Sequence, residues 1–131
     1  MRSVLVEELI GGPVQVCGRE LPLVEAAEVM VDEDIGSLAV THDGGEDGDL
    51  VGIFTERDVV RALAKGSIDG SVGDWMTGAP DSLALDVDVG DAIDWMMGAG
   101  YRHLPVIDRG KLVGMLSIKD LLWAATAEDG G

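Results

Sequence analysis

The chain has 131 residues, 47% of them apolar and 26% charged, which suits one compact core or two small units sharing one and excludes a disordered chain. Its formal net charge of −16, from 25 Asp and Glu against 9 Lys and Arg, argues against nucleic acid and against an acidic membrane surface as partners, because both rest on cationic neutralisation of phosphates. With aromatics at only 4%, the core falls to Val, Leu, Ile, Ala and Met.

No window reaches the roughly 18 uninterrupted apolar residues of a membrane span. The opening M-R-S-V-L-V-E-E carries acids where a signal peptide has its apolar stretch, so a cytoplasmic protein is expected. The single Cys17 cannot form an internal disulfide, which agrees with a reducing compartment; in an apolar strand context it reads as packing rather than as a nucleophile. The acid-rich, lysine-poor composition suits a high-salt cytoplasm, where self-repulsion is screened.

In chain order, residues 4–13 (V-L-V-E-E-L-I-G-G-P) and 71–80 (S-V-G-D-W-M-T-G-A-P) match at an offset of 67, each a short amphipathic lead-in broken by Gly and Pro. Short strands follow as V-Q-V-C from Val14 and D-S-L-A-L from Asp81. Helices are predicted over 25–31 and 91–97, where Ala26, Val29, Met30 and Ala92, Trp95, Met96 recur at three- and four-residue spacing. These helices match at an offset of 66, which gives the first copy one extra residue before its helix. A second strand is predicted at 36–40 and 102–106. The loop after it is T-H-D-G-G-E-D-G-D in the first copy and I-D-R-G-K in the second, so the first copy carries an insertion. Its Asp43, Asp47 and Asp49 lack the ordered ligand series of a calcium loop, and the reading is a mobile solvated turn with no metal site.

Each copy closes on its clearest pattern. Residues 50–63 read L-V-G-I-F-T-E-R-D-V-V-R-A-L and residues 112–125 read L-V-G-M-L-S-I-K-D-L-L-W-A-A. Gly-h-h-Ser/Thr-x-x-Asp, with h apolar, thus occurs at Gly52/Thr55/Asp58 and at Gly114/Ser117/Asp120. In both, a β-forming run stops at a hydroxyl and restarts with helical spacing, which puts Thr55 and Ser117 at strand-to-helix junctions. Two roles are open at such a junction. The hydroxyl can cap the helix while the Asp completes a capping box. Alternatively, the helix N-terminus and hydroxyl can hold a phosphate while the carboxylate accepts hydrogen bonds from a ribose diol. Both can hold at once. Arg57 and Lys119 share one repeat position and would supply the local positive charge that the acidic surface lacks. The halves are bounded at 1–66 and 71–126, with a flexible tail over 127–131. Units this small bury little surface alone, so the halves are expected to pack on one another.

Several stretches carry a family resemblance: V-G-D-W-M-T with Pro80, D-A-I-D-W-M-M, Y-R-H-L-P-V-I-D and L-V-G-M-L-S-I-K-D-L-L in the second half. In the first half they are Pro13, E-A-A-E-V-M and L-V-G-I-F-T-E-R-D-V-V-R-A-L. On these the chain, from about Leu5 to about Ala124, resembles a tandem pair of CBS (cystathionine β-synthase) domains, a Bateman module. The resemblance implies an α+β or α/β fold, with two β-α-β-β-α units packed about a pseudo-two-fold axis and clefts between them for adenosine-containing ligands. It carries one site onto Val16, Ser37, Thr55, Arg57 and Asp58, and the other onto Ser82, Tyr101, Arg102, His103, Pro105, Ser117, Lys119 and Asp120. In that pattern the Asp holds ribose hydroxyls, the Ser or Thr helps at phosphate, and strand residues surround the base. Where the second copy has Tyr101, Arg102, His103 and Pro105, the first has I-G-S-L-A, with no ring, cation or Pro. Unequal binding is therefore expected, with the second site stronger. His103 is open to two roles, a ligand contact or a cap on a neighbouring carbonyl.

No Ser-His-Asp or Cys-His constellation, phosphate-binding Gly-rich loop or Cys/His cluster is present, so no enzyme and no required cofactor is expected. What the resemblance implies instead is a stand-alone regulatory module. It would sense AMP, ADP or ATP, with or without Mg²⁺, or S-adenosylmethionine or NAD(H), and signal to an unknown partner protein. The alternative is a ligand-free interaction module used for dimerisation or docking. A homodimer is expected in either case, because Trp95, Met96, Met97 and Trp123 exceed what so small a core needs.

Overall fold

The computed structural model describes residues 3–130, with side chains over 3–126. The chain forms two compact units: a central one, Val14–Pro80, and a terminal one assembled from Met1–Pro13 and Asp81–Gly131. Among the described residues, no helix is long and apolar enough to cross a membrane.

The central unit contains strand β1 (Val16–Cys17), helix α1 (Leu23–Glu33), strands β2 (Ser37–Thr41) and β3 (Leu50–Thr55), helix α2 (Glu56–Ala64), a single turn α3 (Val72–Trp75) and strand β4 (Thr77–Gly78). The strands lie in the order β1-β2-β3-β4, with β1 parallel to β2 and the other pairs antiparallel. A parallel neighbour needs a crossover, and α1 supplies it. Its Leu23, Ala26 and Met30 form the buried stripe, Pro22 precedes it, and Asp34 in the left-handed region (φ 54°) ends it. All five residues of β2 are buried, as a strand covered on both faces should be. Phe54, wholly buried among Leu38, Val40, Ala62 and Val72, anchors the core; burying a side chain of that size contributes about 1.5–3 kcal/mol.

The terminal unit repeats the plan with a 3-10 turn (Val6–Leu9), helix α4 (Val89–Ala99), strands β5 (His103–Asp108) and β6 (Lys111–Ser117), and helix α5 (Ile118–Gly130). Leu83 stands where Cys17 does, bridging in parallel to Val106 as Cys17 pairs with Val40. The hairpins share one register: Ser37 faces Thr55 as His103 faces Ser117, and Val40 faces Gly52 as Val106 faces Gly114. Even the irregularity repeats, after Val40 and after Val106. The copies differ at the hairpin loop. In the terminal unit, Arg109 (φ 53°) and Gly110 (φ 79°) make a two-residue turn of the primed kind that suits strand twist. In the central unit, the loop 42–49 contains the insertion, and hydrogen bonds tie it down: Thr41 Oγ1 donates to Gly45 O (2.8 Å) and the Gly45 amide donates to Asp43 Oδ1 (2.9 Å). The expected tail, 127–131, lies outside the described side chains.

The units and the sequence repeats divide the chain differently. The lead-in of the first repeat packs in the terminal unit, where the Val6 amide donates to Val87 O (2.8 Å), Glu7 to Leu85 O (2.9 Å) and Val89 to Val4 O (2.8 Å). The lead-in of the second repeat makes the same bonds in the central unit, Val72 to Leu21 O (2.9 Å), Gly73 to Arg19 O (2.9 Å) and Leu23 to Gly70 O (3.0 Å). Each repeat thus lends its lead-in to the other. These bonds also correct the alignment, because Val6 corresponds to Val72 at the same offset of 66 that relates Val40 to Val106. The Gly-x-Pro punctuation shared by Pro13 and Pro80 gives 67 and misplaces the register by one; no extra residue precedes α1.

The exchange explains the motif glycine. A Cβ on Gly52 would stand 2.5 Å from Met76 Sδ and 2.9 Å from the Thr77 carbonyl oxygen, because β4 crosses directly beside it. Gly114 is covered in the same way by the Ile10 side chain.

Candidate functional site

In the central unit, β3 runs without a break into α2, which turns the Thr55 amide toward the first helical turn. Asp58 closes that turn: its Oδ2 accepts from the Thr55 amide (2.9 Å) and, more weakly, from the Thr55 hydroxyl (3.4 Å). A carboxylate here satisfies an otherwise orphaned amide and suits the positive end of the helix. Its other oxygen, Oδ1, accepts from Arg61 Nη1 at 2.9 Å. Arg61 also lies 5.4 Å from the centre of the Trp75 ring, a cation–π distance. Asp58 is only 4% exposed, so both oxygens of a buried carboxylate are committed within the unit.

The terminal unit builds the same junction between β6 and α5. The Ser117 amide donates to Asp120 Oδ2 (3.0 Å) and the Asp120 amide returns to Ser117 Oγ (3.1 Å), a complete capping box. Among the described residues nothing donates to Asp120 Oδ1, and Asp120 is exposed. The position of Arg61 is taken by Trp123, 77% exposed. Thus the two aspartates, equivalent in sequence, differ: Asp58 is buried and ion-paired, whereas Asp120 is exposed and has no cationic partner among the described residues.

Of the remaining candidates, strand pairing brings Ser37 and His103 to these junctions. Directly opposed residues in antiparallel strands share a face, so Ser37 lies beside Thr55 and His103 beside Ser117. Ser37 is buried and His103 half-buried. Val16, half-buried, sits on the neighbouring strand opposite Ala39. Arg57 and Lys119 are exposed on the first helical turns. Arg102 is exposed too, and its carbonyl accepts from the Ile118 amide (2.8 Å), as Gly36 accepts from Glu56 (3.1 Å). The first amide of each helix is therefore already spent on the preceding strand, which narrows the phosphate-binding capacity of the backbone. Ser82 is exposed, whereas Pro105 is buried opposite Met115. The Tyr101 hydroxyl donates to Asp81 Oδ2, and its ring meets Trp95 edge-on at 5.8 Å and 85°. The Asp81 hydrogen bond, with desolvation and the carboxylate charge adding, raises the phenol above its usual range.

Sequence reasoning passed over Arg61, Trp75 and Asp81. For Arg61 a signal exists, the three-residue spacing from Asp58 on one helix face; Trp75 and Asp81 become neighbours of the site only through folding. Among the described residues, no group of three or more His, Cys, Asp or Glu side chains is placed to hold a metal ion.

A family model described as the CBS domain matches residues 6–65 and again 72–126. An uncharacterised 17.7 kDa protein of Acidianus ambivalens is 38% identical over 88% of this chain and 70% of its own length. The crystal structure of a CBS-domain containing protein from Agrobacterium tumefaciens matches with a TM-score of 0.85 and 32% identity, covering 94% of each chain. A CBS domain protein from Pyrobaculum aerophilum, complexed with AMP, matches with a TM-score of 0.81 and 26% identity over 94% of this chain and 99% of that one.

Proposed function

The chain belongs to the CBS domain family, and on that premise we propose that it is a regulatory, non-catalytic module that binds an adenosine-containing ligand and signals its presence to a partner protein. The observation that carries the reading is Asp120: an exposed carboxylate oriented by the Ser117 amide and bonded to the Ser117 hydroxyl through its own amide, with no donor to Oδ1 among the described residues. Such a group accepts the two hydrogen bonds of a ribose diol, while Ser117, Lys119 and Arg102 suit the phosphate end. The Pyrobaculum relative complexed with AMP makes an adenine nucleotide the first candidate. S-adenosylmethionine and NAD(H) share the adenosyl part, and Mg²⁺ would accompany a di- or triphosphate. The terminal half-site is the stronger of the two, since Asp58 is already engaged.

The same reading takes the molecule as a homodimer in a cytoplasmic setting. Trp95, Met97, Leu122 and Trp123 remain exposed on α4 and α5, and a second copy is the covering we assign to them. Met96, first counted with this surface, is wholly buried and belongs to the core.

Titration calorimetry with ATP, ADP, AMP, S-adenosylmethionine and NADH tests the reading. At least one should bind well below millimolar. If all five fail at that threshold, worth only about 4 kcal/mol of binding, the ligand-free interaction module takes its place.

A further inference from the structure

We infer that Arg61 is an intramolecular latch on the central half-site, so that a nucleoside enters there only by displacing its guanidinium from Asp58. The inference rests on the adenosyl-ligand reading above and adds a regulatory element to it. The Thr55 amide bond to Asp58 Oδ2 has its counterpart in the Ser117 amide bond to Asp120 Oδ2. That part is common scaffolding. What differs is the second oxygen: Asp58 Oδ1 holds Arg61 Nη1 at 2.9 Å, whereas Asp120 Oδ1 has no donor among the described residues. A ribose diol needs an acceptor at that oxygen, and Arg61 fills it.

The latch has a built seat. Arg61 rests against the Trp75 ring at 5.4 Å, and Trp75 belongs to α3, the lead-in that the second repeat lends to the central unit. The Arg61 side chain is 54% exposed, so it has room to swing into water when released, while the Asp58 side chain, 6% exposed, needs a replacement donor whenever Arg61 leaves. A ligand diol is such a donor. Displacement would free Arg61 from Trp75, which turns occupation of the central half-site into a change at α3. Trp123, at the equivalent position of the terminal unit, is exposed, and among the described residues no cation pairs with Asp120, so no counterpart of the latch stands at that position.

The test titrates AMP into Asp120→Ala protein, which weakens the terminal half-site, and into Asp120→Ala/Arg61→Met. Removing a charge-assisted competitor should tighten binding at the central half-site by about tenfold. Arg61→Gln, which keeps a neutral donor, should give a smaller gain and serves if Arg61→Met melts early. Unchanged or weaker binding in both variants overturns the latch. If wild-type protein binds AMP and neither variant gains, the latch alone fails; if AMP does not bind, the same variants are titrated with whichever of ATP, ADP, S-adenosylmethionine or NADH the wild-type protein binds, and the latch and the ligand reading fail together only if none of the five binds. In Trp95→Phe/Trp123→Phe protein, where Trp75 is the only fluorophore of its kind, AMP at the central half-site should shift the emission as Arg61→Met does. An emission unmoved by AMP bound there also overturns the latch.

Discussion

Replacing Gly52 by Ala separates packing from ligand binding as the reason for the motif glycine. Gly52 lies in β3 with a φ outside the left-handed region, so Ala is conformationally tolerable there, and the cost is purely steric. The added methyl would stand 2.5 Å from Met76 Sδ and 2.9 Å from the Thr77 carbonyl oxygen. Met76 is flexible and its sulfur can move aside. The Thr77 carbonyl belongs to the backbone of β4, paired to Gly52 and Ile53, and cannot yield without prying that strand from the sheet. Overpacking of this kind costs about 1–3 kcal/mol. At about 3–5 °C per kcal/mol for a chain of this size, the melting temperature should fall by roughly 6–10 °C for a mid-range cost. Thermal denaturation followed by circular dichroism reads the shift. Gly78→Ala is the control, since the nearest atom to its methyl is the Val51 carbonyl oxygen at 4.0 Å, and it should melt within about 2 °C of wild type. Gly114→Ala should fall between them, because only the Ile10 side chain meets it. A Gly52→Ala protein as stable as Gly78→Ala would refute the packing argument and return the glycine to the ligand.

Ser117→Ala removes a hydroxyl that accepts from the Asp120 amide and should cost about 1 kcal/mol in urea denaturation, more than Thr55→Val, whose hydroxyl makes only a 3.4 Å contact to Asp58; the reverse order would contradict the capping assignment. Burial pushes the Cys17 thiol from 9.0 up to about 11. A folded-state pKa raised in this way stabilises the fold below the unfolded value, and that contribution is lost as pH climbs from 9 through 11, so the urea midpoint should fall over that window and fall less in Cys17→Ala. With a net charge of −16, screening should raise the melting temperature as KCl goes from about 10 mM to 1 M, over which the Debye length shrinks from about 30 to 3 Å; a flat or falling curve would remove the high-salt reading.

The hairpins, their flanking helices and the two capped junctions were legible because each is local: the apolar alternation of 50–55 and 112–117 and the hydroxyl after it specify strand, cap and helix within a few residues. The exchange of lead-ins was not legible, since a repeat in sequence says nothing about which copy of the core its first turn will join. The lead-in alignment failed for a related reason. Gly-x-Pro punctuation fixes where a chain turns, while register is fixed by the Val6 and Val72 hydrogen bonds that only the fold reveals. The expectation of unequal binding rests in sequence on Tyr101, Arg102 and His103, whereas the fold sets the two aspartates apart through another position. It is one residue, Arg61 against Trp123, that gives Asp58 a cationic partner where Asp120 has none among the described residues.

The central claim is that Asp120 anchors the ligand, and calorimetric titration of AMP into wild-type, Asp120→Ala and Asp58→Ala proteins tests it directly. Loss of a two-bond carboxylate contact at Asp120 should weaken the dominant binding event by about tenfold or more, while Asp58→Ala leaves that event within about twofold. Equal losses, or a larger loss at Asp58, would contradict the account.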